Sequence, residues 1–306
     1  ATAALALDAK DGIEVSTWDK RFDLVERAQK CGIPAAKKNL KDTLKNARVV
    51  LFSLPLSALQ DVFQQVKTLI QPGVLLVDLS GYQLLPAKWA KETFAGKARF
   101  VSLFPAVNPK YLSEHDTGPE SAHADLFQNA SIFIPDPTGE TAAVIDAVVD
   151  LAVILGGKPA FADPHEAEGV RAWVKMLPAL ATLTTAKTAF GQPGWREARK
   201  LAGDELAAET DFLEDPFRVE AFCEDTWLIK ENASHVLDAV ILAAIKFKET
   251  LNQQDEHAFV SEVERLMEDR REWLARRAKN DWGDYSLASS VPSSEQALKH
   301  FLTLGG

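Results

Sequence analysis

The amino-acid sequence predicts an α/β domain built on a doubly wound parallel sheet, followed by an all-helical domain. Short apolar runs alternate with segments of helical periodicity over the first 163 residues, a pattern typical of parallel sheets covered by helices. Proline and glycine separate these segments. Beyond residue 164 the strand signal disappears, and apolar residues recur at helical spacing. We therefore predict one domain at 1–163 and a second at 164–306.

The strands are predicted from short, mainly apolar runs, because a parallel strand is buried on both faces. The first run, GIEVSTWDK at 12–20, ends on an acid, as the second strand of a dinucleotide-binding fold does. The other predicted strands are RVVLFSL at 48–54, VLLVDL at 74–79, ARFVSLF at 98–104, ASIFIP at 130–135 and KPAFAD at 158–163.

Apolar residues at helical spacing predict the helices between and after these strands. Pro178 should kink the first helix of the second domain, since proline removes a backbone hydrogen bond. The predicted helices are 56–70, 86–96 and 138–157 in the first domain, and 164–190, 216–253 and 256–283 in the second, with a further helix after the turn at 191–194.

Composition limits the class of protein without naming its function. The chain has 306 residues, of which 46% are hydrophobic and 25% charged, as in globular proteins. The net charge of −10 argues against non-specific binding to nucleic acid. No apolar run reaches the ~18 residues of a membrane span. Cys31 and Cys223 lie far apart without metal-site spacing, which favours a reducing, cytoplasmic compartment and predicts no metal.

The ends of the predicted strands favour a nucleotide crevice, because parallel sheets bind ligands beyond their carboxyl ends. Ordinary turns are also rich in proline, glycine and serine, so the interpretation depends on all the strand ends taken together. Asp19 should bond a ribose hydroxyl and favour NAD, whereas Lys20 and Arg21 leave NADP open. The predicted cofactor-binding residues are Asp19, Lys20, Arg21, Ser53, Leu54, Pro55, Asp78 and Pro105.

The order of several motifs resembles the prephenate/arogenate dehydrogenase family. FVSLFPAVNP, ADLFQNASIFIP, LGGKPAFADPHEAEGVRAWVKMLPALA, GWREARKLAG and DPFRVEAFCEDTWLIKEN follow the nucleotide sheet in the family's order, and the similarity extends from about residue 4 to about residue 275. The resemblance implies a Rossmann-type domain followed by a helical domain that dimerises. It also implies an NAD- or NADP-dependent oxidative decarboxylation that produces a tyrosine precursor.

The beginning of the sequence differs from the family pattern. Family members open with a strand and a G-x-G-x-x-G turn, whereas ATAALALDAKDG at 1–12 matches the helix that follows that turn. We therefore expect the first strand and glycine loop to be missing from this sequence, with an incomplete sequence as the favoured interpretation. Without that loop, the backbone N–H groups that bind a pyrophosphate are missing too.

The resemblance also implies that the family's catalytic histidine is replaced. Its H-P-M/I-x-G motif matches FPAVNP, which places Phe104 at the histidine position, and a phenyl ring exchanges no proton. Gln83 stands where the family has lysine. His165, near the start of the second domain, is the one histidine considered as a substitute base. We therefore assign no catalytic residue.

Residues matching the family's substrate motifs are polar or basic. The resemblance implies that a substrate acid is held by Ser80, Asn108, Arg196, Arg199 and Lys200, although the basic cluster at 196–200 could equally be a solvated helix face. Two hypotheses follow. The chain is an NAD(P)-dependent dehydrogenase of the family, acting on its usual substrates or on a different small acid, or it is a non-catalytic binding or regulatory homologue.

The long helix predicted at 216–253 carries more apolar surface than a monomer usually exposes. A second copy related by a two-fold axis would cover this stripe, so we expect a homodimer. The stripe comprises Phe222, Leu228, Ile229, Val236, Leu237, Val240, Ile241, Ala244 and Phe247.

Overall fold

The computed structural model describes residues 1–33, 37, 39–112, 118–135, 140–280 and 291–303. The chain forms two compact units. The first unit comprises Ala1–Leu54, Ala58–Ala167 and Glu272–Gly306, and the second comprises Pro55–Ser57 and Glu168–Arg271.

The first unit is built on parallel strands, as the apolar runs predict. Strands β1, β2 and β3 lie side by side in that order, all parallel, with Phe52 opposite Asp78 and Asp78 opposite Ser102. Leu103 separates β3 from β4, which pairs antiparallel with β5, and β5 pairs parallel with β6. The strands are β1 Val49–Phe52, β2 Leu75–Asp78, β3 Arg99–Ser102, β4 Phe104–Pro105, β5 Ser131–Pro135 and β6 Lys158–Ala162.

Helices cover both faces of these strands. On one face, Phe63 is fully buried and meets Phe52, Phe94 and Phe100 in edge-to-face contacts, with ring centroids 5.2, 5.3 and 5.6 Å away. On the other face, apolar residues of α1, α6 and α14 join the core. These helices are α1 Thr2–Asp8, α2 Phe22–Lys30, α3 Leu40–Thr43, α4 Leu56–Val66, α5 Leu84–Phe94 and α6 Ala142–Ile154, with single turns at Pro109–Tyr111 and Pro119–Ser121.

The strand predicted at 12–20 is wrong. Ile13 and Val15 pack against the core, but only Thr17 in this segment forms a bridge, and its carbonyl accepts a hydrogen bond of 2.8 Å from the Lys37 N–H. A strand exists only where a neighbouring strand supplies hydrogen-bond partners. No described strand pairs along this segment, so the alternation of apolar residues was not sufficient to predict a strand.

Helices make up the described part of the second unit. Its small core contains Ala172, Met176, Leu180, Ala233 and Val236. Its helices, of which α7 and α13 extend into the first unit, are α7 Pro164–Arg171, a π-helical segment Ala172–Met176, α8 Leu177–Phe190, α9 Trp195–Ala198, α10 Asp204–Thr210, a turn Asp211–Glu214, α11 Pro216–Leu228, α12 Lys230–Asn252 and α13 Glu256–Lys279.

Two long helices are interrupted. The helix predicted at 164–190 passes through the π-helical segment just before Pro178, because the missing proline N–H disrupts the regular bonding pattern. The single helix predicted at 216–253 is wrong, since it breaks at Ile229, whose φ and ψ are −121° and 37°. Neither glycine nor proline marks that break in the sequence.

The last described helix, α14 Ser294–Leu302, packs in the first unit. Ala297 is fully buried, and Leu298 and Phe301 contact the same core as α6. The sequence had placed everything after residue 163 in the helical domain. Residues 272–306 instead group with the sheet, because apolar side chains of α14 cover α6.

Asp150 on α6 is a buried acid facing α14. Its side chain is 4% exposed, and one carboxylate oxygen lies 3.9 Å from Nδ1 of His300. Burial raises the pKa of Asp150 to about 6, although the charge of His300 opposes this shift and that of Asp146 adds to it. Between about pH 4 and 6 the folded protein keeps a proton on Asp150 that the unfolded chain has lost. The free energy of unfolding therefore falls as the pH rises through that window.

Replacing this acid by its neutral isostere should stabilise the protein. We expect Asp150→Asn to raise the free energy of unfolding at pH 7.5 by on the order of 2 kcal/mol, because a shift of one pKa unit corresponds to about 1.4 kcal/mol. Urea denaturation at several pH values measures this. Asp61→Asn, an exposed acid on α4, is the control. Equal pH dependence for Asp150→Asn and the unmodified chain would contradict the assignment.

Candidate functional site

A cavity of about 370 Å³ lies where the parallel strands of the first unit end. Ser53 and Leu79, which follow β1 and β2, form one part of its wall, and Val107 and Tyr111, which follow β4, form another. Residues Ala1–Ala3 also line it. Ligands of open α/β sheets bind at this edge, so this cavity is the candidate site.

Sequence reasoning found part of this wall. Of the predicted cofactor-binding residues, Ser53 lines the cavity. Pro105 lies in β4, two residues before the wall residue Val107. Leu79, Val107 and Tyr111 were missed, because apolar and aromatic residues after a strand carry no sequence signal that separates a cavity wall from the core. Their position directly after strand ends was the available indication.

The turn after β2 is held by a buried carboxylate. Asp78 is fully buried, and it accepts hydrogen bonds from the backbone N–H of Ser80, at 3.1 Å, and from the Ser80 hydroxyl. The Ser80 hydroxyl oxygen in turn accepts a bond of 3.3 Å from the Tyr82 N–H. The predicted cofactor residue Asp78 and substrate residue Ser80 are thus brought together, and Asp78 orients the turn rather than facing solvent.

Phe104 occupies a tight site beside that turn. Gly81 has a φ of +80°, and a Cβ atom there would lie 2.8 Å from the Phe104 ring. Phe104 is 9% exposed, and its backbone pairs with Phe133. The aromatic ring therefore packs against the backbone of the glycine turn. The Phe104 side chain has no group that exchanges a proton.

A polar network surrounds Tyr111 in the segment after β4. Its hydroxyl donates to Asp125 at 2.5 Å and accepts from the Lys110 ammonium at 3.1 Å, while its ring stacks on His123 with centroids 4.1 Å apart. The hydrogen bond to Asp125 raises the pKa of Tyr111 and lowers that of Asp125. Tyr111 therefore keeps its proton at neutral pH and acts here as part of the wall.

Asn108 is engaged in the same segment. Its side-chain oxygen accepts from the Lys110 N–H at 3.1 Å, and its amide donates to the Asp125 carbonyl at 3.0 Å. The side-chain oxygen and the amide nitrogen of this predicted substrate residue thus both hold the loop in place. A ligand contact would have to use the remaining hydrogen-bonding capacity of this amide.

Asp19, Lys20 and Arg21 lie before α2, the helix that starts at Phe22. The exposed carboxylate of Asp19 accepts a hydrogen bond of 2.8 Å from the Arg21 N–H, which fixes its orientation. Further along α2, Arg27 forms a two-pronged pair with Glu120, with N–O distances of 2.7 and 2.6 Å. This pair holds the segment at Pro119–Ser121, beside cavity residues Ser121 and Ala122.

Other predicted residues belong to the second unit. Pro55 is exposed, and the next two backbone N–H groups donate to the carboxylate of Asp225, at 3.1 Å from Leu56 and 2.8 Å from Ser57. Asp225 thus caps the first turn of α4, a role the sequence did not show.

The basic cluster at 196–200 is exposed. Lys200 pairs with Glu197 at 2.5 Å, and Arg196 and Arg199 lie on the same short stretch. Pairs of this kind are also typical of solvated helix surfaces. His165 is exposed at the start of α7, where its backbone N–H donates a hydrogen bond of 2.9 Å to the carboxylate of Asp163.

Two kinds of feature are absent from the described residues. No helix among them is both long and apolar enough to cross a membrane. No three histidine, cysteine, aspartate or glutamate side chains in the described ranges are grouped as a metal ion would require.

Fold and site together define an α/β protein of the nucleotide-binding class. Residues 3–159, just over half of the chain, match the family described as "Prephenate dehydrogenase, nucleotide-binding domain". The chain therefore belongs to the prephenate dehydrogenase family. A prephenate dehydrogenase of Lactococcus lactis subsp. cremoris (strain MG1363) is 24% identical over 140 residues, which span 45% of this chain and 38% of the length of that relative.

Solved structures show the same fold. A prephenate dehydrogenase from A. aeolicus, in complex with hydroxyphenyl propionate and NAD+, has a TM-score of 0.73 at 15% identity, covering 89% of this chain and 93% of its own. A putative prephenate dehydrogenase from Corynebacterium glutamicum ATCC 13032 has a TM-score of 0.70 at 19% identity, covering 99% and 93%. Synechocystis arogenate dehydrogenase gives 0.65 at 15% identity, covering 89% and 95%.

The contact between Gly81 and Phe104 should be energetically important. We expect Gly81→Ala to lower the free energy of unfolding by about 2–4 kcal/mol, since it combines a left-handed backbone conformation with a steric clash. Gly73→Ala is the matched control, because Gly73 also has a positive φ, +86°, but a Cβ there would meet nothing within 4 Å. Urea denaturation of both variants tests this, and equal losses would show that the ring contact contributes little.

Proposed function

We propose that this chain is a prephenate/arogenate dehydrogenase-like protein that binds NAD or NADP at the carboxyl edge of its sheet, and that its activity in the family reaction is weak. The observation that carries this proposal is the cavity framed by Ser53, Leu79 and Val107, which opens at that edge. The A. aeolicus relative, described with NAD+ and hydroxyphenyl propionate, supports a dinucleotide and a small aromatic acid as the ligand types.

In the proposal a dinucleotide binds at this edge, and Asp19 binds its ribose. The oriented carboxylate of Asp19 suits a ribose hydroxyl, and the turn at Ser53, Leu54 and Pro55 follows β1 directly. A bound nicotinamide would accept a hydride from the substrate. In the proposal Ser80 and Asn108 orient a substrate acid.

A non-catalytic binding or regulatory role is the second candidate, and the packing of Phe104 favours it. The ring fills its space against Gly81 and supplies no base where the resembling family has histidine. Loss of a general base costs about 10²–10⁴-fold in rate. Oxidation of prephenate and arogenate, followed by NADH and NADPH absorbance, separates the candidates: turnover supports the dehydrogenase, whereas dinucleotide binding without turnover supports the binding role.

Cofactor binding is tested directly by titration. We expect NADH to bind more tightly than NADPH, because the Asp19 carboxylate accepts a ribose hydroxyl and repels a 2′-phosphate. Asp19→Asn should reduce this preference, and Asp23→Asn, an exposed acid on α2, is the control. Fluorescence titration measures both. Binding of neither dinucleotide would overturn the proposed function, and tighter NADPH binding would overturn the assignment of Asp19.

We also propose that the second unit forms a homodimer. Val236, predicted to lie on the intermolecular stripe, is instead buried in the unit's own core, but the following turns of α12 remain exposed. Ile241, Leu242 and Ile245 are 54%, 59% and 44% exposed. The neighbouring exposed apolar side chains on α13 are Val260, Val263, Leu266 and Met267. A second copy would remove this surface from water.

Light scattering tests the dimer. We expect a dimer mass at micromolar concentration for the unmodified chain, with an interface on the large side, ~2,000 Å² or more. Leu242→Asp should shift the mass toward the monomer, because a buried unpaired carboxylate opposes association. Lys248→Asp, an exposed position of the same helix, should leave the mass unchanged. A monomer mass for the unmodified chain would contradict the proposal.

A further inference from the structure

One ion pair joins helix α2 to a wall of the candidate cavity. The carboxylate of Glu120 accepts two hydrogen bonds from the Arg27 guanidinium, at 2.7 Å from Nε and 2.6 Å from a terminal nitrogen. We call residues 118–122, which include this glutamate, the wall segment, because Gly118, Ser121 and Ala122 line the cavity. The lining includes neither Arg27 nor Glu120, so the pair can affect a ligand only through the wall.

Gly118 is the residue at which the ion pair meets the wall. Its φ is +126°, in the left-handed region that favours glycine. A Cβ atom there would lie 3.0 Å from a carboxylate oxygen of Glu120 and 3.2 Å from a guanidinium nitrogen of Arg27. The pair therefore packs directly against the backbone of a residue that lines the cavity.

Hydrogen bonds within the wall segment make it a closed turn. The Ser121 hydroxyl donates to the Gly118 carbonyl at 3.1 Å, and the Ala122 N–H donates to the Pro119 carbonyl at 3.2 Å. Because these bonds connect both ends of the turn, a force applied to Glu120 is shared by all three lining residues. The ion pair fastens this turn to α2.

The start of α2 lies beside the acid proposed to bind a ribose. Asp19 precedes the helix, and its carboxylate accepts a hydrogen bond of 2.8 Å from the Arg21 N–H. Arg27 is six residues further along the chain, within the first two turns of α2. One continuous helix thus connects the proposed ribose site to the wall segment.

We propose that Arg27 and Glu120 are positioning residues, whose ion pair holds the wall segment against α2 so that the cavity and the ribose site bind a dinucleotide as one surface. This inference rests on the proposed function and adds the contact that sets the position of the wall. A two-pronged arginine–carboxylate pair has a fixed geometry. A wall held in place before the ligand arrives costs less entropy on binding.

The pair is charged and open to solvent, which makes its strength adjustable. The hydrogen bonds from Arg27 lower the pKa of Glu120, so the carboxylate is ionised at neutral pH. The two side chains are 45% and 52% exposed. Salt screens exposed charges of this kind, so the hold on the wall segment should weaken as the ionic strength rises.

The first experiment needs no ligand. Ala122→Cys, made in a chain whose exposed Cys31 and Cys223 are replaced by serine, places one thiol on the cavity wall. Its rate of reaction with a thiol reagent measures how accessible the wall is. We expect Glu120→Gln to raise this rate by about two- to five-fold, the range expected for an exposed ion pair. Combining Arg27→Glu with Glu120→Arg should restore the original rate, because the swapped charges still attract each other.

The second experiment measures the affinity for NADH by fluorescence titration. We expect Arg27→Gln and Glu120→Gln each to weaken binding by about two- to five-fold, and the double variant to weaken it no further, since either change removes the same pair. Glu262→Gln is the matched control. It breaks another exposed two-pronged pair, with Arg265 at 2.6 and 3.2 Å on α13, and should leave NADH affinity unchanged.

The outcomes separate this inference from the proposed function. An unchanged thiol rate in Glu120→Gln would overturn the inference, as would losses of NADH affinity that add in the double variant or that appear equally in Glu262→Gln. Absence of NADH binding to the unmodified chain would overturn the proposed function instead. In that case the thiol rates, which require no dinucleotide, still decide whether the pair positions the wall.

Discussion

The parallel register of β1, β2 and β3 is the constraint on which the candidate site depends. Phe52, Asp78 and Ser102 end these strands at the same level, so the residues that follow them meet at one edge. Parallel strands must be connected by crossovers, which place the helices on the faces and leave this edge to the loops. Ser53, Leu79 and Val107 line the cavity because they follow strand ends at this edge, and Ala1–Ala3 form a further part of its wall.

The chemistry available at that edge is set by packing as much as by polar groups. The Asp78 carboxylate accepts a hydrogen bond from the Ser80 N–H and so holds the turn, and Gly81 lets the backbone approach the Phe104 ring. Tyr111 is held by Asp125. The wall is mainly apolar, and Tyr111 and Phe127 contribute its aromatic side chains. Such a wall favours recognition of a ligand over proton transfer.

Local sequence patterns predicted the elements that are stabilised by local burial. The continuous apolar run at 48–54 became β1, and the helix predicted at 56–70 became α4, because both carry enough apolar residues to be buried in any compact arrangement. The segment at 12–20 has a similar pattern but no strand partner, and the helix at 216–253 breaks at Ile229 without a breaking residue. The first difference arises because a strand requires a partner that is distant in sequence.

By itself the sequence determined the fold class and the family resemblance, because these follow from residue identity and periodicity. Only the tertiary structure decided which strand ends meet in a cavity, that α14 packs on α6, and that Arg277 is buried against Val107. Arg277 is 170 residues from its acceptor. A pattern along the chain does not show which distant residues meet, whereas burial and pairing depend on those meetings in space.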